Sequence, residues 1–144
     1  MDKRSPETLM MKLPSVPESV TELTDRISAM LERLRLPEDA AFDVKLACQE
    51  AIVNAVEHGN QCDETKLVRV HCRVEGDTIT VTVRDEGEGF DPCEVADPTA
   101  PQNILRENGR GIFLIRSLAD EVHFNEKGNE ITIVKRLPPA EPAH

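Results

Sequence analysis

Apolar residues recur every three or four positions through "SVPESVTELTDRISAMLERLRL", at Val20, Leu23, Ile27, Met30, Leu31 and Leu34. That spacing predicts an amphipathic helix with one buried stripe. Ser15 and Glu18 stand at capping-box spacing ahead of it, and Pro17 falls near its first turn. Pro37 divides it from a second helix over about 38–58, which Gly59 is expected to stop. The period then changes to two. "KLVRVHCRVE" and "DTITVTVRDE", joined through Gly76 and Asp77, predict an antiparallel pair of strands. Val68, Val70, Cys72 and Val74 form the inner face of one, and Ile79, Val81 and Val83 that of the other. "TLMMKLP" predicts a short strand ended by Pro14. "GRGIFLIRSLADEV" predicts a third helix beginning near Gly111, and "EVHFNE" with "NEITIVKRL" a hairpin across Lys127-Gly128-Asn129. Residues 86–108, rich in Gly, Pro and Asp, lack a strong period and read as a lid. The order of elements predicts an α+β fold, a two-layer sandwich with helices on one face of a mostly antiparallel mixed sheet. A single domain over 1–144 is expected, with its core at about 8–137 and a loose tail at 138–144.

The second helix does not follow a simple two-faced pattern. At about 100° per residue, Asp43, Ala47, Glu50, Asn54, Glu57 and His58 share one narrow stripe. Val44, Ala51, Ile52 and Ala55 flank it on one side, and Phe42, Leu46 and Val53 on the other. A solvated face normally mixes Lys and Arg among its acids, and this stripe has neither. An exposed stripe is the plain reading; a row of oxygen ligands facing a cleft is the sharper one.

Composition narrows the choice of partner. The 144 residues are 39% hydrophobic and 31% charged, as in a globular protein, and 27 acidic side chains against 17 Lys and Arg give a net charge of −10. So acidic a surface disfavours nucleic acid and anionic membranes. It leaves ATP open, because a metal and a few donors can meet that charge locally. The four cysteines contain no C-x-x-C pair and no histidine at finger spacing, which disfavours zinc; Cys48 and Cys72 fall in core-like segments. "MDKRSPET" carries no hydrophobic signal core and no apolar run reaches membrane-spanning length, so a cytoplasmic protein with reduced thiols is expected.

Two further stretches carry chemistry. In "VTVRDEGEGFDP" the inner-face series Ile79, Val81, Val83 continues to Asp85, a carboxylate at the end of an apolar row. Such a group needs a donor, since burying it unpaired costs several kcal/mol or shifts its pKa. An adenine amino group is one suitable donor, and Gly87 and Gly89 allow the backbone to turn and approach a ligand closely. In "ENGRGIFLI", Gly109 and Gly111 bracket the expected helix start, where free N–H groups and the helix dipole favour an anion. Arg110 lies between them and Arg106 just before. Neither a P-loop nor a Rossmann fingerprint is present.

An E-x-x-x-N helix, a strand ending D-x-G-x-G, a lid and G-x-G at a helix start, in that order, resembles the GHKL ATPase superfamily of gyrase, heat-shock chaperone, histidine kinase and mismatch-repair types. "ACQEAIVNAVEHGN", "VRDEGEGFDP" and "GRGIFLIRSLADEV" look most like its small single-domain branch, the anti-sigma factor serine kinases. The resemblance implies Asn54 as the Mg²⁺ ligand and Glu50 as the residue that orients or deprotonates the attacking hydroxyl. It implies Asp85 as reader of the adenine amino group with Gly87 and Gly89 beneath the base, and Gly109 and Gly111 as phosphate donors. Contacts from Arg106 and Arg110 to phosphate are a physical expectation beside it. His58 is read as helping to end the helix, and Glu57 has no role. The implied activity is Mg-ATP-dependent phosphorylation of a small anti-anti-sigma antagonist, with sequestration of a sigma factor and a homodimeric state. The competing expectation is a nucleotide-dependent binding switch without turnover.

Overall fold

The computed structural model describes residues 6–87 and 107–139, and of 107–110 the backbone alone. The chain runs β1 (Glu7–Pro14), α1 (Pro17–Arg33), α2 (Glu38–Val53), a π-helical turn (Asn54–Gly59), β2 (Leu67–Glu75), β3 (Thr78–Arg84), α3 (Glu107–Leu118), β4 (Glu121–Phe124) and β5 (Glu130–Arg136). The strands form one sheet in the order β1-β2-β3-β5-β4. Each neighbouring pair is antiparallel, and no parallel pair occurs among the described strands.

The two-residue period does what it predicts. Val68, Val70, Cys72 and Val74 of β2 and Ile79, Val81 and Val83 of β3 are all buried, while Arg69, His71, Arg73 and Glu75 face outward. The inner row meets Leu23, Ile27, Met30 and Leu31 of α1 and Val44, Ala51 and Ile52 of α2 in one core. α2 packs against both α1 and α3. Each fully buried Leu, Ile or Val side chain contributes roughly 1.5–3 kcal/mol. The apolar side of α2 therefore seats the helix without help from its polar stripe. Only one of the two expected apolar flanks belongs to this core. Phe42 is 60% exposed, and Leu46 and Val53 are half-buried, because that side of α2 looks away from the sheet.

Three helix ends differ from expectation. Val16, not Ser15, caps α1, and no side chain bonds its first turn, so the capping box does not form. Ser15 is instead held as an extension of β1: its N–H and its hydroxyl both donate to the Lys66 carbonyl, at 3.0 and 2.8 Å. The second helix reaches its expected end but widens after Val53 into the π-turn, and Asn60 N–H donates to the Ala55 carbonyl at 2.8 Å. Gly59 does not stop it through a left-handed backbone; Gln61 and Cys62 adopt that conformation, at φ 52° and 56°. Finally, α3 begins at Glu107, a full turn before Gly111. Of the expected tail only 138 and 139 are described, and they carry no regular structure.

Candidate nucleotide-binding site

A cavity of about 450 Å³ opens between the C-terminal end of α2, the start of α3 and the ends of β3 and β5. Its walls are apolar at Ala51, Ala55, Val83, Ile112, Phe124 and Ile131, and polar at Asn54, His58, Gln61, Lys66, Asp85, Asn129 and Glu130. A concave site that joins an apolar wall to convergent polar groups is one a small molecule with both characters can fill.

Asp85 lines the cavity directly after the end of β3, where the row of inner-face hydrophobic residues stops. Its backbone is pinned by β5: its N–H donates to the Asn129 carbonyl at 2.9 Å, and Asn129 Nδ2 donates to its carbonyl at 3.2 Å. One carboxylate oxygen accepts the Gly87 N–H at 2.7 Å. Burial pushes the Asp85 carboxyl above the ordinary carboxylate range; the Gly87 N–H, Lys127 and Lys66 pull it back only in part. A half-buried carboxylate in the cavity wall is poised to accept a proton donor from a ligand.

Glycines allow the walls to come together. A Cβ at Gly59 would lie 2.2 Å from Asp85 Oδ2, and one at Gly87 would lie 2.1 Å from the Gly59 carbonyl oxygen. The end of the π-turn and the turn after β3 thus meet closely, Gly59 against the Asp85 carboxylate and Gly87 against the Gly59 carbonyl. Gly59 has its place through missing volume, not backbone freedom. Across the cavity, a Cβ at Gly111 would lie 3.0 and 3.3 Å from the Asn54 amide atoms and 3.4 Å from Glu50 Oε2. Gly111 therefore lets α3 close on α2 where the Glu50 and Asn54 side chains converge.

The chain matches the model of the histidine kinase-like ATPase domain over residues 13–135. It belongs to that family. The serine-protein kinase RsbW of Bacillus subtilis is 32% identical over 142 residues, covering 94% of this chain and 89% of its own. That of Staphylococcus epidermidis is 33% identical over 135 residues, covering 88% and 85%. That of Oceanobacillus iheyensis is 32% identical over 123 residues, covering 81% and 78%. A crystal structure of the RsbU and RsbW domains of a Mycobacterium tuberculosis protein superposes with a TM-score of 0.67 at 19% identity; it covers 96% of this chain, which spans 35% of that longer one. That likeness speaks for the fold alone.

Within the histidine kinase-like ATPase family, the domain binds nucleotide, and the cavity joins Asn54, Asp85 and Gly87 in one space. Glu50 stands one turn back from Asn54, outside the cavity wall but against Gly111. A neutral amide oxygen at the cavity wall with a carboxylate one turn away suits a hard cation that keeps water and phosphate ligands. Gly109 and Arg110 fall in the first turn of α3, where N–H groups lack helix partners, whereas Gly111 lies a turn in and its N–H is used within the helix. Gly111, expected as a phosphate donor, packs closely on Asn54. Gly89 and Arg106 lie outside the described residues. Glu57 is exposed and off the cavity, while His58, read as a helix-ending residue, lines it.

Sequence reasoning missed Lys66, Asn129 and the aromatic wall at Phe124. Lys66 precedes a strand and Asn129 closes a hairpin, and neither position has a periodic signature. Only the Lys127-Gly128-Asn129 turn hinted that a loop would stand beside Asp85. His71 and His123 are both exposed on the outer face of the sheet; His123 pairs with Glu121 at 3.1 Å. Arg73 pairs there with Glu75 at 2.8 Å.

Proposed function

We propose that the chain transfers the γ-phosphate of Mg-ATP to a serine or threonine hydroxyl of a small antagonist protein, and that it sequesters a sigma factor when that antagonist is not engaged. The class of chemistry, protein-serine/threonine kinase, is that of the relatives it matches over most of their length. The convergence of Glu50 and Asn54 on Gly111, across a cavity ending at Asp85, is the observation that carries this reading.

Adenine packs against the apolar part of the cavity wall and donates its amino hydrogen to Asp85. Asn54 would hold Mg²⁺, which when bound would neutralise charge on the triphosphate. Gly109 N–H, in the first turn of α3, is the proposed phosphate donor, and the phosphate roles of Arg106 and Arg110 and the base role of Gly89 are carried from the sequence. Glu50 accepts the hydroxyl proton as the substrate oxygen bonds to the γ-phosphorus. The bridging β–γ oxygen bond breaks and ADP leaves. Phosphoryl transfer depends on positioning and charge neutralisation, which these residues provide, more than on covalent chemistry. No described helix is long and apolar enough to cross a membrane. A cytoplasmic homodimer is the form proposed to meet the antagonist and the sigma factor.

Asn54→Ala and Glu50→Ala separate binding from transfer. Asn54→Ala is expected to weaken Mg-ATP binding and transfer together. Glu50→Ala is expected to spare nucleotide affinity while transfer falls about 10²–10⁴-fold, the usual worth of a positioned general base. Calorimetry and labelled-phosphate transfer to candidate antagonists read both. Transfer at the wild-type rate by Glu50→Ala would remove Glu50 from its role.

A further inference from the structure

We infer that Asn60 is the positioning residue that couples the adenine end of the site to its phosphate end. Asn60 is completely buried and does not line the cavity, so it touches no nucleotide. Its side-chain amide is used in full. Nδ2 donates to Ser15 Oγ at 2.7 Å and to the Leu67 carbonyl at 3.0 Å, and Oδ1 accepts the Glu86 N–H at 2.7 Å. The reversed amide would set donor against donor at Glu86 and acceptor against acceptor at Leu67, so the network itself orients the group. The Asn60 N–H closes the π-turn on Ala55.

The bond to Glu86 is the informative one. The Glu86 N–H belongs to the peptide unit that carries the Asp85 carbonyl. Asn129 holds the other side of Asp85 through two bonds from the β4–β5 hairpin. Those bonds place Asp85 within the sheet but do not relate it to α2. Gly59 and Gly87 permit the close approach of the π-turn to the end of β3, yet a missing side chain attracts nothing. Asn60 supplies the attraction. It follows Gly59 directly and lies at the far end of the π-turn from Asn54. Its grip on Glu86 therefore sets the separation between the Asp85 carboxylate and the Asn54 amide, which a bound nucleotide must span. Ser15 has a different place: it ties Asn60 and Lys66 to the end of β1 and has no bond to the β3 terminus.

This inference rests on Asp85 accepting from adenine, and the experiment keeps the two apart. The full chain and its Asn60→Ala, Asn60→Asp, Ser15→Ala and Asp85→Asn variants are titrated calorimetrically with Mg-ATP and with Mg-GTP, well below their melting temperatures, and melted without nucleotide. The aspartate retains the acceptor for Glu86 N–H but loses the donors to Leu67 and Ser15. All the Asn60 and Ser15 variants should melt lower than wild type. Asn60→Ala should bind ATP about tenfold more weakly, the order expected for one lost hydrogen bond, and its preference for ATP over GTP should shrink. Asn60→Asp should recover most of the affinity and the preference despite its lower melting temperature, and Ser15→Ala should keep both. Should Asn60→Ala not fold, Asn60→Ser, whose hydroxyl cannot reach Glu86, reads the same difference. ATP affinity that follows melting temperature across the variants, or that Asn60→Ala or Asn60→Ser leaves unchanged, overturns the inference. An unchanged ATP-to-GTP ratio in Asp85→Asn removes the adenine reading beneath it; a changed ratio there, with none in Asn60→Ala or Asn60→Ser, removes the inference alone.

Discussion

At Asp85, burial and chemistry pull in opposite directions. Desolvation raises its pKa from the ordinary 3.8, so between that value and the raised one the native state holds a proton that the unfolded chain has lost. Stability conferred by the group therefore falls as pH rises through that window, and above it the ionised carboxylate remains a standing cost. Asp85→Asn keeps the shape and removes the charge. The nucleotide-free variant should melt above wild type at pH 7, with the gap closing as pH falls below 3.8, while ATP affinity drops. Melting curves across pH measure this, and a gap that persists in acid would show that charge is not the cause. Cys48 and Cys72 are a quieter case. Burial pushes both thiols up, Cys72 to about 12, whereas Cys62 is exposed. Since the thiolate is the reactive form, iodoacetamide on the native protein should label Cys62 and spare Cys48 and Cys72 until denaturant is added, as peptide mass mapping would reveal. The inner-face position of Asp85 and the core character of these two cysteines were legible from alternation alone.

Among the elements, glycines decide how closely helices and strands meet, and they do so for different reasons. Gly76 turns the β2–β3 hairpin at φ 62°, with nothing within 4 Å of an added Cβ. Gly59 needs no special φ, but its Cβ would enter the Asp85 carboxylate. Gly76→Ala should cost about 1–2 kcal/mol of backbone strain and leave nucleotide affinity intact. Gly59→Ala should cost about 1–3 kcal/mol by overpacking and also abolish tight ATP binding, because Asp85 must move. Denaturant melts with parallel ATP titrations distinguish them; equal affinities would show that the close approach of Gly59 to Asp85 does not govern nucleotide binding. The turn role of Gly76 was readable from its place between two alternating strands. The packing role of Gly59 was not, because it depends on a strand that follows much later in the chain. The π-turn escaped notice for a related reason: widening a helix by one residue leaves its apolar pattern almost intact, and π-turns concentrate at functional sites.

For the whole molecule, ligand binding to the native state alone must appear as stability. At a hundredfold excess over its dissociation constant, Mg-ATP should add about 2.7 kcal/mol and raise the melting temperature. Mg-GTP at the same concentration should raise it far less, because its ring carbonyl faces the Asp85 acceptor. Equal shifts would remove Asp85 from base selection. The sandwich, its inner rows and the order of Glu50, Asn54, Asp85 and the α3 glycines were set by the sequence by itself, because helix and strand periods are local properties that any neighbouring dozen residues display. The helix ends and the walls of the site were decided only by tertiary structure. Ser15 left its expected cap to bond Lys66 and Asn60, the latter 45 residues away, and Asn129 reached Asp85 across 44. Such bonds form between buried polar groups that folding brings together from separate segments, each of which must find a partner once water is gone. No local period encodes which partner that will be, so these contacts exist only in the packed chain.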